Sequence, residues 1–220
     1  MTSPNEAARR RLWLAHHGFR LFPLIPGTKR PAVRDWENRA TTDPAALKHW
    51  PDGGGAGIAC GPSNVVALDL DSHGGEPPAP WNHAGVRDGH DVFASVWAVH
   101  APEGTSFWDT MTVITPSGGT HLYYRAPDRQ VRNSAGRIGW QVDVRAHGGY
   151  VVAPGTVTDA GEYTMLYTPE RLLTLPDWLT SLLVDHKPAE RRAGAFSRPR
   201  KAALPSRSGA RVEALARTVA

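Results

Sequence analysis

Three aspartates stand where strand-like stretches of the chain are otherwise apolar. Asp69 and Asp71 close the run Val65-Val66-Ala67-Leu68-Asp69-Leu70-Asp71, and Asp143 sits between Val142 and Val144. An isolated carboxylate is costly in an apolar setting, so each needs a reason to be there. Residues two apart on a strand face the same way, which puts the Asp69 and Asp71 carboxylates on one face, roughly 6–7 Å apart. That spacing suits oxygen ligation of a shared pair of hard cations. The ordinary alternative for the first pair is a strand that ends there, with the aspartates opening the loop Ser72-His73-Gly74. For Asp143 it is an ion pair with Arg145, two residues on and on the same face.

Between these acidic runs lies Thr115-Pro116-Ser117-Gly118-Gly119-Thr120-His121. Gly118-Gly119 allows a tight turn whose bare amides can approach phosphate oxygens. The same residues also suit a plain hairpin turn, and a lone His121 suits a packed core. In the segment after Ser72, His73, His83, His90 and His100 match no metal-ligand spacing and read as scattered surface residues. Trp36 and Trp108 fall in loops, where stacking on a base is conceivable.

The elements that must position these residues follow from periodicity. Ala8, Leu12, Ala15 and Phe19 predict an amphipathic helix near residues 4–18, stopped by Gly18. Leu21–Ile25 reads as an edge strand interrupted by Pro23. Asp43 and Pro44 open a short helix as cap and first residue. Gly57–Cys60 and Val65–Asp71, joined by Gly61-Pro62-Ser63-Asn64, read as a β-hairpin. The stretch from Ser72 to Asp109 reads as a surface insertion carrying one helix around Asp88–Val99. Strands follow at Met111–Thr115, Thr120–Arg125, Trp140–Val144, Tyr150–Ala153 and Glu162–Leu166, then a helix over Pro176–Leu183. Strands in the centre and helices at both ends predict an α+β fold with a central, mainly antiparallel sheet flanked by helices.

The composition, 40% hydrophobic and 21% charged over 220 residues, is that of one globular domain with a tail. Cys60 is the single cysteine, which excludes a disulfide framework and a Cys-rich zinc site. No stretch reads as a membrane span, and the apolar run after Arg9-Arg10-Arg11 stops at His16-His17, so a cytoplasmic protein is expected. Residues 187–220 hold nine Lys/Arg and two Glu, a net +7 that leaves −3 for the rest. Such a tail suits a polyanionic partner or a solvated linker. The domain boundary is expected near Asp185–Lys187, giving a domain over 1–186 and a basic linker with the start of a helical extension over 187–220.

In this order the motifs resemble the archaeo-eukaryotic primase superfamily, and specifically the bifunctional primase-polymerase N-terminal domain. The resemblance runs from Leu12 to Trp178. It covers Pro26-Gly27-Thr28-Lys29-Arg30-Pro31 with Trp36 beyond, Gly57-Ile58-Ala59-Cys60-Gly61, the Asp-x-Asp strand and the Ser-Gly-Gly-Thr-His turn. It closes on Val-Asp-Val-Arg and Gly-Gly-Tyr-Val-Val-Ala-Pro.

The resemblance implies a nucleotidyltransferase that makes or extends primers on single-stranded DNA, in plasmid, phage or bacterial replication. Asp69, Asp71 and Asp143 would hold two Mg²⁺ or Mn²⁺ ions, and His121 would contact the triphosphate of the incoming nucleotide, as a charge-assisted donor if protonated there. Ser117, Gly118 and Gly119 would line the nucleotide, with Lys29 and Arg145 as basic contacts. The family's second motif often reads Ser-x-His, whereas Gly119 stands two before His121 here. No zinc is expected, which bears on primer initiation more than on extension. A helicase or other replication protein would join through the helical extension at Arg211–Ala220.

Two alternatives remain open: a primase-like nucleic-acid-binding module that no longer polymerises, and an Asp-x-Asp phosphatase. The second lacks the Gly-Thr that usually follows such a pair, and no Asp-Asp occurs downstream. A His-hydrophobic-His endonuclease motif is missing from the sequence.

Overall fold

The computed structural model describes residues 4–50 and 54–184. The expected boundary near Asp185–Lys187 and the basic tail lie outside the described residues. The chain opens with α1 (Pro4–His16), which ends two residues short of the expected helix. Gly18, at φ 85°, turns the backbone, and the Phe19 amide donates to Leu14 O at 3.1 Å, satisfying a terminal carbonyl. Next come β1 (Leu21–Pro23), the short α2 (Trp36–Arg39) and α3 (Pro44–Lys48). Asp43 caps α3 as expected, accepting from the Ala45 amide at 2.9 Å.

Then follow β2 (Ala56–Ala59), β3 (Val65–Leu70), α4 (Gly89–His100), β4 (Met111–Ile114), β5 (Thr120–Arg125), β6 (Ser134–Gly139) and β7 (Val142–Arg145). The last part contains β8 (Tyr150–Val152), β9 (Val157–Thr158), β10 (Gly161–Glu162), β11 (Thr164–Tyr167) and α5 (Asp177–Val184). Six strands form a sheet in the order β11-β4-β5-β3-β7-β6, and every neighbouring pair is antiparallel. A second sheet has the order β1-β2-β8, and β9 and β10 form a small hairpin. The class is α+β, with a central antiparallel sheet flanked by helices. Among the described residues no helix is long and apolar enough to cross a membrane.

The six-stranded sheet is buried on both faces, and the alternation of its strands shows how. Val65, Ala67, Met111, Val113 and Tyr123 pack with Leu14 of α1 and with Phe22, Ile58 and Val151 of the smaller sheet. Val66, Leu68, Leu122, Tyr124, Val142 and Val144 point the other way, onto Val92 and Phe93 of α4 and Leu179 and Leu183 of α5. With both faces covered, β3 reads as a nearly continuous apolar run.

Three expectations need correction. β2 and β3 are not a hairpin: β2 pairs with β1 and β8, and β3 with β5 and β7. The expected turn does form, with Ser63 N donating to Ala59 O at 3.0 Å and Asn64 at φ 54°, but it carries the chain from one sheet to the other. At Gly57 the register partner is Phe22, whose ring fills the space a Cβ would need. Trp140 and Gln141, expected in a strand, are the two-residue tip between β6 and β7, with Gln141 at φ 58°. Nor is the stretch 72–109 merely a surface insertion. Val92 and Phe93 are fully buried, and truncating one such Phe typically costs about 3–5 kcal/mol.

Candidate active site

The period-2 pattern that buries Val65 and Ala67 aims Asp69 at the same face of β3, at the end of the strand. The antiparallel register places Asp69 opposite His121 on β5 and opposite Asp143 on β7. The row Asp143–Asp69–His121 thus crosses three adjacent strands, with Cα atoms about 4.5–5.5 Å apart. Asp71 lies one residue beyond β3, its backbone held on both sides. Its amide donates to Gln141 O at 2.9 Å, and its carbonyl accepts from Gly89 N at 2.9 Å.

Asp69, Asp71, His121, Lys29, Arg145 and Ser117 line one cleft of about 360 Å³. Asp143 is not in its walls. Arg145 Nη2 donates to Asp143 Oδ2 at 2.9 Å, and Gly136 N to Asp143 Oδ1 at 3.1 Å. The Asp143–Arg145 ion pair weighed as an alternative is therefore present.

The glycine-rich turn delivers its hydroxyl rather than its first glycine amide. Gly118, at φ 82°, donates its N–H to Thr115 O at 3.0 Å, so that amide is committed to the turn. Thr115 and Ser117 pair through their hydroxyls at 3.0 Å, and both line the cleft. Gly119 backs onto the end of β3, where an added Cβ would stand 2.7 Å from Leu70 O.

Burial dominates the electrostatics. It raises the Asp69 pKa, with Arg145 opposing and Asp143 adding to the rise. Burial also raises Asp71, and Asp69 adds to it. Lys29 is raised chiefly by Tyr163, over whose ring its Nζ lies 5.9 Å from the centroid, with smaller contributions from the charges of Asp69 and Asp71. His121 is pushed down to about 3, by burial first and then by Lys29. The free cleft therefore presents a neutral imidazole at physiological pH. Its Nε2 lies 3.4 Å from Asp69 Oδ1, and its buried Nδ1 has no hydrogen-bond partner among the described residues.

Among the described residues no three His, Cys, Asp or Glu side chains gather into a ready-made metal cage. Mg²⁺ does not need one, since it is usually bound by one or two carboxylates together with substrate phosphates and water. Asp69 and Asp71 are hard oxygen donors, and neighbouring carboxylates add to the rise in each, Asp143 at Asp69 and Asp69 at Asp71, the condition a divalent cation relieves. The donor set fits such an ion.

Tyr163 and Asn133 carry no sequence signal, whereas Thr115 and Tyr150 stand in motifs read from the sequence that assign them no role. Trp36 lines the cleft but also packs on Phe22 and Tyr150, with ring centroids 4.9 and 5.0 Å away. Trp108 packs on Phe107 at 4.7 Å. His73, His83 and His100 are exposed, but His90 is not a surface residue. Its side chain is 13% exposed, and its Nε2 lies 2.8 Å from the Thr120 hydroxyl, next to His121.

A family model for the bifunctional DNA primase/polymerase N-terminal domain matches residues 11–178, most of the chain and all of the residues named in the cleft. No curated protein sequence matches the chain. The carboxylate pair, the turn bearing Ser117 and the strand bearing Asp143 and Arg145 all fall within the matched span. The chain belongs to the bifunctional DNA primase/polymerase N-terminal family, and its function is of the DNA primase/polymerase type.

Proposed function

We propose that the cleft catalyses nucleotidyl transfer: a primer 3′-hydroxyl attacks the α-phosphate of a nucleoside triphosphate, and pyrophosphate leaves. The observation that carries this reading is the pair of partly buried carboxylates, Asp69 and Asp71, sharing one cleft with the cations Lys29 and Arg145. Acid for metal and base for phosphate is the division a polyphosphate substrate requires.

Asp69 and Asp71 would hold Mg²⁺ or Mn²⁺, with Asp143 beside them. Arg145 and Gly136 N each occupy one oxygen of Asp143, and a carboxylate has about four acceptor sites, so capacity for a cation remains. When bound, such ions supply Lewis-acid activation of the nucleophile and charge neutralisation at the leaving oxygens. Lys29 and Arg145 bind and orient the triphosphate. His121, neutral, keeps the Asp69 carboxylate aimed into the cleft, and Ser117 offers its hydroxyl at the rim. The partners are single-stranded DNA, a primer and a (d)NTP, in a cytoplasmic replication setting of plasmid, phage or bacterial origin.

The engagement of both Asp143 oxygens favours one rival, a module that binds nucleic acid without polymerising. Primer extension and de novo priming with dNTPs and NTPs, each with Mg²⁺ and with Mn²⁺, separate the two. Incorporation in any of these arms supports transfer. Template binding that weakens steeply with salt, with no incorporation in any arm, supports the rival.

A further inference from the structure

Asn133 lines the cleft one residue before β6, and the protein uses only half of its carboxamide. Its Oδ1 accepts from the Ala146 amide at 2.7 Å. A backbone amide can only donate, so the atom that meets it is the oxygen, and the orientation of the carboxamide follows. Nδ2, with its two N–H donors, has no hydrogen-bond partner among the described residues. The surroundings are built for this pose. His147 N donates to Val131 O at 3.3 Å and Arg132 bridges to His147, so the segment leading to Asn133 runs beside the end of β7. Gly149 is not in the left-handed region, so its need for glycine lies in space rather than in its backbone angle. An added Cβ there would stand 2.5 Å from Asn133 Nδ2 and 2.6 Å from its Cγ. The second glycine of the Gly148-Gly149 pair thus makes room for the carboxamide.

The groups beside Asn133 are of one kind. Arg145 lines the same cleft, and only its Nη2 is engaged, on Asp143 Oδ2 at 2.9 Å, so the other N–H groups of its guanidinium remain to donate. Lys29, also in the cleft, is donor-only as well. The one acceptor of the Asn133 side chain is occupied by Ala146 N. Such a set of donors suits a ligand that accepts without donating, and phosphate oxygens are acceptors of that kind. The two cations supply charge. Asn133 adds a neutral donor whose direction is fixed before any ligand arrives, which lowers the ordering cost of binding.

We propose that Asn133 is a further substrate-binding residue: its Nδ2 donates to a phosphate oxygen of the incoming nucleoside triphosphate, beside Arg145. This rests on the nucleotidyl-transfer reading for its ligand. Ala146 N fixes the carboxamide, Gly149 gives it space, and the free donors meet the substrate.

The test is Asn133→Ala, which removes the donors, beside Asn133→Asp, which keeps an oxygen for Ala146 N and replaces the donors with a charged acceptor. Calorimetric Kd in Mg²⁺ is read for a dNTP and for inorganic tripolyphosphate, which offers phosphates alone. Kd for a single-stranded template, Tm, and KM in primer extension are read beside them. In Asn133→Ala the Kd for dNTP and for tripolyphosphate both rise about tenfold, the effect of one lost hydrogen bond to a charged group. The dNTP KM rises with them, and template Kd stays within about twofold. In Asn133→Asp the Tm holds within about 2 °C, yet both phosphate ligands bind more weakly still. A residue that served only to hold Ala146 would be rescued by that change. Wild-type tripolyphosphate affinity in Asn133→Ala, a loss confined to dNTP, or wild-type affinity for both in Asn133→Asp overturns the proposal. A wild-type protein that binds both ligands but extends no primer, with binding weakened by Asn133→Ala, would sink the polymerase reading and leave the phosphate contact standing. A wild-type protein that binds neither ligand overturns both.

Discussion

His121 Nε2 lies 3.4 Å from Asp69 Oδ1, and the two residues are register partners on β5 and β3. The imidazole is neutral because burial drives its pKa down to about 3, so it faces the carboxylate as an uncharged polar group. His121→Leu leaves the partly buried Asp69 without that polar neighbour. The expected cost is about 1–3 kcal/mol of stability, measured by urea unfolding. An unchanged unfolding free energy would show that the pair contributes nothing.

The carboxylates have the opposite sign. Asp69 and Asp71 carry pKa values raised above those of the unfolded chain, so each costs folding stability at pH values above its folded pKa. The cost is relieved as the pH falls through that pKa. Without divalent ions at pH 7, Asp69→Asn therefore melts higher than wild type, by about 2–4 °C. The advantage shrinks as the buffer is acidified. Added Mg²⁺ or Mn²⁺ raises the wild-type Tm by mass action but not that of Asp69→Asn/Asp71→Asn. A metal-free Asp69→Asn variant that melts below wild type would mean that burial is not what perturbs this carboxylate.

Gly89 opens α4 and donates to the carbonyl of Asp71, close against the Gln141 carbonyl. A Cβ there would also stand 3.0 Å from both Asp71 N and Asp71 O. Gly89→Ala must displace either the helix start or Asp71. The expected loss is about 1–3 kcal/mol of stability, as for other overpacked sites. Primer extension, measured well below the variant's Tm, falls about tenfold or more, because a small displacement of a positioned group is amplified in rate. Wild-type extension by folded Gly89→Ala would show that Asp71 tolerates the shift.

The acidic strands were legible because a carboxylate inside an apolar run violates the pattern of a buried strand. Asp69 and Asp143 announce themselves by type alone, and β5 has the bounds expected of it. Pairing was less legible. The Cys60–Val65 turn has hairpin chemistry, but turn residues do not encode which strand becomes a partner, and here the chain changes sheets. β6, Ser-Ala-Gly-Arg-Ile-Gly, lies at the sheet edge with mostly exposed residues and lacks an apolar alternation to find. Tyr163 carries no local signal at all: it reaches the cleft only because the β9–β10 hairpin returns to the loop of Lys29, more than a hundred residues earlier in the chain. His90 was obscured for the same reason, since its burial depends on Thr120 from a distant strand.

The central claim is that Asp69 and Asp71 are the reactive centre of a nucleotidyltransferase. Extension of a labelled primer on single-stranded DNA by wild type, Asp69→Ala and Asp71→Ala, with Mg²⁺ and with Mn²⁺, tests it most directly. The account predicts incorporation by wild type and a loss of about a thousandfold or more in each variant, the scale of removing a principal electrostatic contributor, with both variants folded and still binding template. Extension that proceeds unchanged in either variant would contradict it.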